Sequence, residues 1–220
     1  MYGPERARRS EGAPGLFVVL EGVEGSGKST QAALLAEWLA AAGVPQLLTR
    51  EPGGTTAGES IRRVLLHGDE LGARAELLLI LAARAVLVEE VIRPALAEGR
   101  VVVADRFDLS TLAYQGYGRG LPLDEVRRLN LFATGGLRPD LTLVLDVAWE
   151  TGVARREREG RVSDRIERAG TEFHARVAEA YRLLAREEAG VERVDGEGSV
   201  AEVSERIRRV LRSRFAETIP

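Results

Sequence analysis

The 220-residue chain contains no cysteine. Disulfides, thiol catalysis and cysteine-held metal sites are therefore excluded, and a reducing cytoplasm is the natural setting. It also has almost no lysine. Of 31 lysine plus arginine residues, a single one, Lys28, is lysine and the rest are arginine. A guanine-reading Asn-Lys-x-Asp motif would need a lysine elsewhere, so a GTP switch is ruled out. There is no excess of positive charge. The formal net charge is −3, so no polycationic surface advertises nucleic-acid binding. No apolar run is long enough for a membrane span, which needs ~20 residues; the longest, 75–88, falls short. The first ten residues lack an apolar core, so they do not read as a signal peptide. Their charge, glycine and proline predict a disordered tail over 1–14, followed by a single domain over 15–220. The two histidines, His67 and His174, share no motif and read as surface or packing residues.

What is present begins at Leu16-Phe-Val-Val-Leu-Glu-Gly-Val-Glu-Gly-Ser-Gly-Lys-Ser-Thr30. An apolar, partly β-branched run precedes Gly22-x-x-x-x-Gly27-Lys28-Ser29, and a helical pattern of Leu34, Leu35, Trp38 and Leu39 follows. Strand, glycine loop and helix in that order make a phosphate-binding loop. Glycines let successive N–H groups converge on one anion, and the helix N-terminus adds partial positive charge. Lys28 would reach the outer phosphates and Ser29 would ligate Mg²⁺. The sole departure from arginine falls at Lys28, where a compact ammonium differs in geometry from a planar fork.

Further strands are predicted at about 45–50, 100–105, 141–146 and 191–195, alternating with helices, which gives an open, doubly wound parallel α/β sheet. Arg50 and Glu51 lie just past the end of the second strand, where such sheets bind ligands; a surface salt bridge beside a turn is the plain alternative. Ser60 to Leu66 suggests a short helix. The apolar stretch 75–88 reads as a helix buried on most faces. Arg84, in its middle, must snorkel, pair or meet a ligand. Asp105 and Arg106 end a buried strand, placed for phosphate and metal chemistry. The stretch Ser110-Thr-Leu-Ala-Tyr-Gln-Gly-Tyr-Gly-Arg-Gly120 mixes hydroxyls, an amide and rings around glycines; by itself it reads as an unusual loop suited to a flat polar ligand. Between Val153 and Arg165 stand five arginines, Arg155, Arg156, Arg158, Arg161 and Arg165. They fit a solvated helix with i,i+4 ion pairs, or, because Gly160 and Ser163 interrupt it, a mobile basic lid over about 150–168. A small kinase is the reading that remains.

Together these segments resemble one family, the thymidylate kinases. The resemblance is carried by Glu21-Gly-Val-Glu-Gly-Ser-Gly-Lys-Ser-Thr30, Thr49-Arg-Glu-Pro-Gly-Gly-Thr55, Ala82-Ala-Arg84, Asp105-Arg-Phe-Asp-Leu-Ser-Thr-Leu-Ala-Tyr-Gln-Gly116, Arg138-Pro-Asp-Leu-Thr-Leu-Val-Leu-Asp146 and Ser163-Asp-Arg-Ile-Glu167. It runs from about Leu16 to the C-terminus. It implies a three-layer P-loop fold and transfer of the ATP γ-phosphate to dTMP. The implied ATP site comprises Gly22, Glu24, Gly25, Ser26, Gly27, Lys28, Ser29 and Thr30, with Arg156, Arg165 and Asp195. Mg²⁺ would be held by Ser29 and Asp105, with Glu24 near both metal and sugar. Arg50 and Arg106 match acceptor-phosphate ligands, and Pro52 matches a proline, often cis, that aims Arg50. Arg84 matches an arginine that reaches a thymine carbonyl. Thr111 and Gln115 fall at the base edge, and Tyr114 where a ring hinders a 2′-hydroxyl. The small residue at Gly25 implies the style in which the lid supplies the catalytic arginine, here Arg158 or Arg161. One position departs from the pattern: Ile80 stands where the family usually stacks a phenylalanine on thymine, so Phe107 or another ring would have to compensate, or base preference shifts. Relatives form homodimers through helices beside the core, a face that 75–88 could supply. Partners are then dTMP and ATP, without nucleic acid or membrane. The rival readings are a kinase for another nucleoside monophosphate, a regulatory relative without transfer activity, and a structural or DNA-associated protein.

Overall fold

The computed structural model describes residues 15–158, 160 and 164–219. Five strands, β1 (Leu16–Glu21), β2 (Gln46–Arg50), β3 (Val101–Asp105), β4 (Leu141–Asp146) and β5 (Val191–Asp195), form one parallel sheet in the order β2-β3-β1-β4-β5. All five expected strands are present; β2 and β3 each start one residue late. β1 is central and buried at every position, as a near-continuous apolar run in a parallel sheet must be.

The period-two alternation of β1 sorts the core into two layers. Leu16, Val18 and Leu20 face helix α1 (Lys28–Ala41) and helix α9 (Val200–Arg214), meeting Leu35, Leu39, Ile207 and Leu211. Phe17 and Val19 face the opposite layer, where Leu87 and Ile92 pack. That layer includes α2 (Thr56–His67) and α3 (Ala73–Leu87), which continues through a widened π turn (Val88–Ile92) into α4 (Arg93–Ala97). It is completed by α6 (Leu123–Thr134) and α8 (Thr171–Glu187). Helix α2 starts four residues before the expected Ser60, because the Thr55 hydroxyl caps it by accepting from Gly58 N at 2.9 Å.

The stretch after β3 corrects the sequence reading. It is not a loop but a helix, α5 (Asp108–Thr111), continuing as a π turn (Leu112–Gly118). Its glycines serve close helix packing. A Cβ on Gly116 would lie 2.6 Å from Leu123, and one on Gly118 the same distance from Phe173 of α8. Helix α7 (Trp149–Arg158) stops near the predicted interruption, where Gly160 has φ +62°; Ser163 lies outside the described residues. Among the described residues no helix is long and apolar enough to cross a membrane.

Candidate active site

The loop between β1 and α1 lies where the crossovers of the sheet diverge, since β1 is flanked by β3 on one side and β4 on the other. Open α/β sheets bind ligands at such a point. A cavity of about 450 Å³ opens there, lined by residues 24–31 of the loop and helix start. Helix α1 begins at Lys28 behind Gly27, and no side chain caps its first N–H groups, so these donors are left for an anion. Gly25 packs on the backbone of α7. With φ +74°, a Cβ there would lie 2.2 Å from the Gly152 carbonyl oxygen. A side chain as large as arginine has no room at this position beside α7.

Lys28 Nζ donates to Val23 O at 2.8 Å. Burial, helped by the charge of Arg106, lowers its pKa to about 8 against the pull of Glu24, Asp105 and Glu21. Ser29 donates to the Asp105 carboxylate at the end of β3. Glu24 does not join that pair. Its carboxylate takes Arg106 Nη2, and Tyr114 OH donates to it at 3.3 Å. Burial alone would raise the Glu24 carboxyl, but Arg106, with Lys28 and Arg156, holds it at about 2.

Arg106 has φ +75°, the one positive φ outside glycine among the described residues. Several contacts over-determine it. Its backbone N donates to Leu20 O at 2.9 Å, and its Nη1 to Ser110 Oγ at 3.0 Å and Tyr181 OH at 3.1 Å. Nη1 also reaches Gly22 O at 3.3 Å. Beneath it, fully buried Glu21 accepts from Phe107 N, Ser110 N and Tyr181 OH at 2.9, 3.0 and 2.8 Å. The same carboxylate thus caps α5 and seats the arginine. Glu21, Ser110 and Tyr181 escaped the sequence reading, although an acid inside an otherwise apolar β1 was a visible signal.

At the far end of the cavity, Arg84 is 1% exposed and pairs rather than snorkels. Its Nε donates to Glu51 at 2.9 Å, Nη1 to Thr111 at 2.7 Å and to Asn130, and Nη2 to Glu51 and to Phe107 O at 2.9 Å. All five N–H donors are thereby used, so reaching a base would mean surrendering a protein acceptor. Burial raises the Glu51 carboxyl despite this partner. Gln115 also lines the cavity, with its Nε2 donating to Glu76 at 2.9 Å. Ile80 and Tyr114 line it too, and Tyr114 is the only ring among its described residues. Phe107 does not compensate for Ile80. It is fully buried, edge-on to Phe17 at 4.9 Å and beneath Arg84. Arg50 lines the cavity but is half exposed and paired with Glu59 at 3.0 Å, and cis Pro52 stands beside it.

The basic run divides. Arg155 lines the cavity. Arg156 turns away, over the Trp149 ring and 3.3 Å from Glu167. Arg158 is exposed at the end of α7, and Arg161 lies outside the described residues. Arg165 is buried against Glu76 at 2.8 Å, with its Nε donating to Leu65 O. Asp195 also stands off the cavity, 3.4 Å from Arg206, while Gly196 and Gly198 line it. Arg62, which donates to Pro52 O at 2.8 Å, is a further cation on the wall. Lys28, Arg50, Arg62, Arg106 and Arg155 therefore converge on one space, an arrangement that neutralises a polyanion. His174 is a packing residue, stacked on Trp149 at 4.3 Å.

A sequence model of the thymidylate kinase family matches residues 20–207. A thymidylate kinase from Synechococcus sp. (strain JA-3-3Ab) is 52% identical over 206 residues, covering 93% of this chain and 99% of the relative. One from Symbiobacterium thermophilum is 50% identical over 199 residues, covering 89% and 92%. Among solved structures, a thymidylate kinase from Ehrlichia chaffeensis is similar with a TM-score of 0.75 at 30% identity, over 90% of this chain and 100% of that one.

Proposed function

The chain belongs to the thymidylate kinase family, and on that premise we propose that it transfers the γ-phosphate of ATP to dTMP, giving ADP and dTDP. The observation that carries the reading is the continuity of one cavity. It runs from the phosphate loop, past Lys28, Asp105 and Arg106, to Ile80, Thr111 and Gln115. One end suits a triphosphate and the other a flat base, with cations between them.

In the proposed mechanism, a dTMP phosphate oxygen attacks the γ-phosphorus in line, and the bond from that phosphorus to the β,γ-bridging oxygen breaks as ADP leaves. The phosphate nucleophile is ionised near neutral pH, so no general base is needed. Catalysis is positioning and charge neutralisation. Lys28 and the free N–H groups of α1 hold the donor phosphates. Arg106, with Arg50, holds the acceptor phosphate. Glu24 orients Arg106 and stands toward the acceptor sugar. Arg155, the described lid arginine that reaches the cavity, lies on the donor side with Gly196 and Gly198. Ser29 and Asp105 present adjacent hard oxygen donors. This fits Mg²⁺, which takes one or two protein oxygens and completes its shell with water and phosphate. When bound, Mg²⁺ would supply charge neutralisation to the phosphate oxygens.

The base end is covered by Ile80 and the Tyr114 ring. The test is ATP-dependent phosphorylation of dTMP, dUMP, dCMP, dGMP and UMP, with and without Mg²⁺, by the wild type and Ile80→Phe. We expect dTMP to be preferred and Mg²⁺ to be required. Ile80→Phe should lower the dTMP KM about two- to tenfold, the worth of one aromatic pair. Transfer to another acceptor in preference to dTMP would move the assignment to a sister kinase. ATP binding without transfer would leave a regulatory protein.

We also propose that the chain pairs with a second copy of itself. Val64 on α2, Leu78 on α3, and Leu131 and Phe132 on α6 are exposed, Phe132 at 86%, and α3 packs against both other helices. Such a face marks an interaction surface. Sedimentation equilibrium should give a dimer, converted towards monomer by Phe132→Glu; a monomeric wild type would refute the pairing. A cytoplasmic setting fits a cysteine-free chain.

A further inference from the structure

Glu76 lies in the first turn of α3, outside the cavity lining, and is fully buried. Three partners hold it. Gln115 Nε2 donates to Oε1 at 2.9 Å, and Arg119 donates to both oxygens, from Nε at 3.2 Å and Nη2 at 3.1 Å. Arg165 Nη2 stands 2.8 Å from Oε2. Burial would raise this carboxyl, but Arg119, Gln115 and Arg165 together take it below its ordinary value, so it is ionised. An ionised carboxylate only accepts hydrogen bonds, whereas a side-chain amide has a donating and an accepting end. A buried acceptor-only neighbour therefore leaves the Gln115 amide one stable orientation, NH₂ toward Glu76. The carbonyl oxygen is then turned away from Glu76 and is the acceptor that Gln115 can offer to the cavity it lines.

Resting on the kinase reading above, we propose that Glu76 is a positioning residue for base selectivity: it locks the Gln115 amide so that a hydrogen-bond acceptor faces the acceptor base. Such a group pairs with a pyrimidine that carries a hydrogen on N3, as thymine does. It opposes cytosine, whose N3 is itself an acceptor. A site built to hydrogen-bond one edge discriminates strongly against an edge of the wrong polarity, because both groups are left unpaired. The two arginines keep the carboxylate charged and in place, so the lock does not depend on the ligand.

The experiment compares KM and kcat for dTMP and dCMP in the wild type, Glu76→Gln, Gln115→Ala and the double variant, with thermal melting as a check on folding. A glutamine at 76 has the same shape but donates as well as accepts, so Gln115 is free to turn over. We expect Glu76→Gln to raise the dTMP KM about tenfold and to lower the dTMP over dCMP preference at least tenfold, with little change in kcat at saturating dTMP. In the Gln115→Ala background the same substitution should change that preference no further. If Glu76→Gln unfolds, Glu76→Asp keeps the countercharge for Arg119 and Arg165 and withdraws it from Gln115, and the same loss of preference is expected. A folded variant with unchanged preference, or an equal loss with and without Gln115, would overturn the assignment alone. A wild type that transfers to neither nucleotide would overturn the kinase reading and this assignment with it.

Discussion

Lys28→Met should lower kcat by about 10³-fold or more while the protein keeps its fold, as loss of a preorganised charge at a phosphoryl centre does. The ammonium lies beneath the loop, bonded to Val23 O, and stands where the donor phosphates would run. Among the described residues it makes no ion pair within 4 Å, so its removal strands no buried charge and leaves the Val23 carbonyl without this donor. Thermal melting of the variant should stay within a few degrees of wild type. A kcat near wild type would overturn the site. The pH dependence supplies a second check. Lys28 titrates at about 8 in the folded protein, against an ordinary 10.5. Raising the pH through 8 removes the charge that meets the donor phosphates. Affinity for ATP should then fall, by up to about tenfold per pH unit, and Lys28→Met should lack that bend. The same shift has the opposite consequence for stability. Between 8 and 10.5 the unfolded chain holds the extra proton, so this group makes the nucleotide-free protein more stable as pH rises across that window and least stable below it.

Arg106→Lys should be nearly as damaging, although it keeps the charge. We expect a loss of about 10²-fold in kcat/KM for dTMP, comparable to removing one oriented donor. The guanidinium reaches Gly22 O, Ser110, Tyr181, Glu24 and Tyr114 at once. A lysine has three donors on a flexible stem and cannot span that set. Glu24 would lose its fixed partner, so both the acceptor phosphate and the sugar end would be held less well. KM for dTMP and kcat should therefore change together, with KM for ATP nearly unaffected. A variant whose only defect is in KM for ATP would place Arg106 on the wrong substrate.

Both of these residues were readable from their local surroundings in the chain. Lys28 belongs to a contiguous motif, where a turn of backbone and the helix behind it are dictated by neighbours in the chain. The inner strands β1, β3 and β4 were readable for the same reason, and more fully than β2 and β5, half exposed at the sheet edges, since a buried parallel strand writes its apolar run locally. The same holds for Asp105 and Arg106 at a strand end. The long-range partners were not. Arg84 announced that it needed a partner, but Glu51, Thr111 and Asn130 stand 33, 27 and 46 positions away, and nothing local chooses among such candidates. The glycines around Tyr117 suggested a loop, because close approach of α8 and α6 is invisible until those helices are packed. The run of arginines shows how a helix sorts one composition into several roles. Side chains adjacent in sequence lie about 100° apart around the axis, so Arg155 and Arg156 part company, one to the cavity and one to Trp149 and Glu167. Local chemistry thus settled the phosphate loop and where the strands of the sheet lie in the chain, while their order was set by the tertiary fold. Helix phase and contacts between distant segments settled which charges are spent holding the protein together and which are left to meet a substrate.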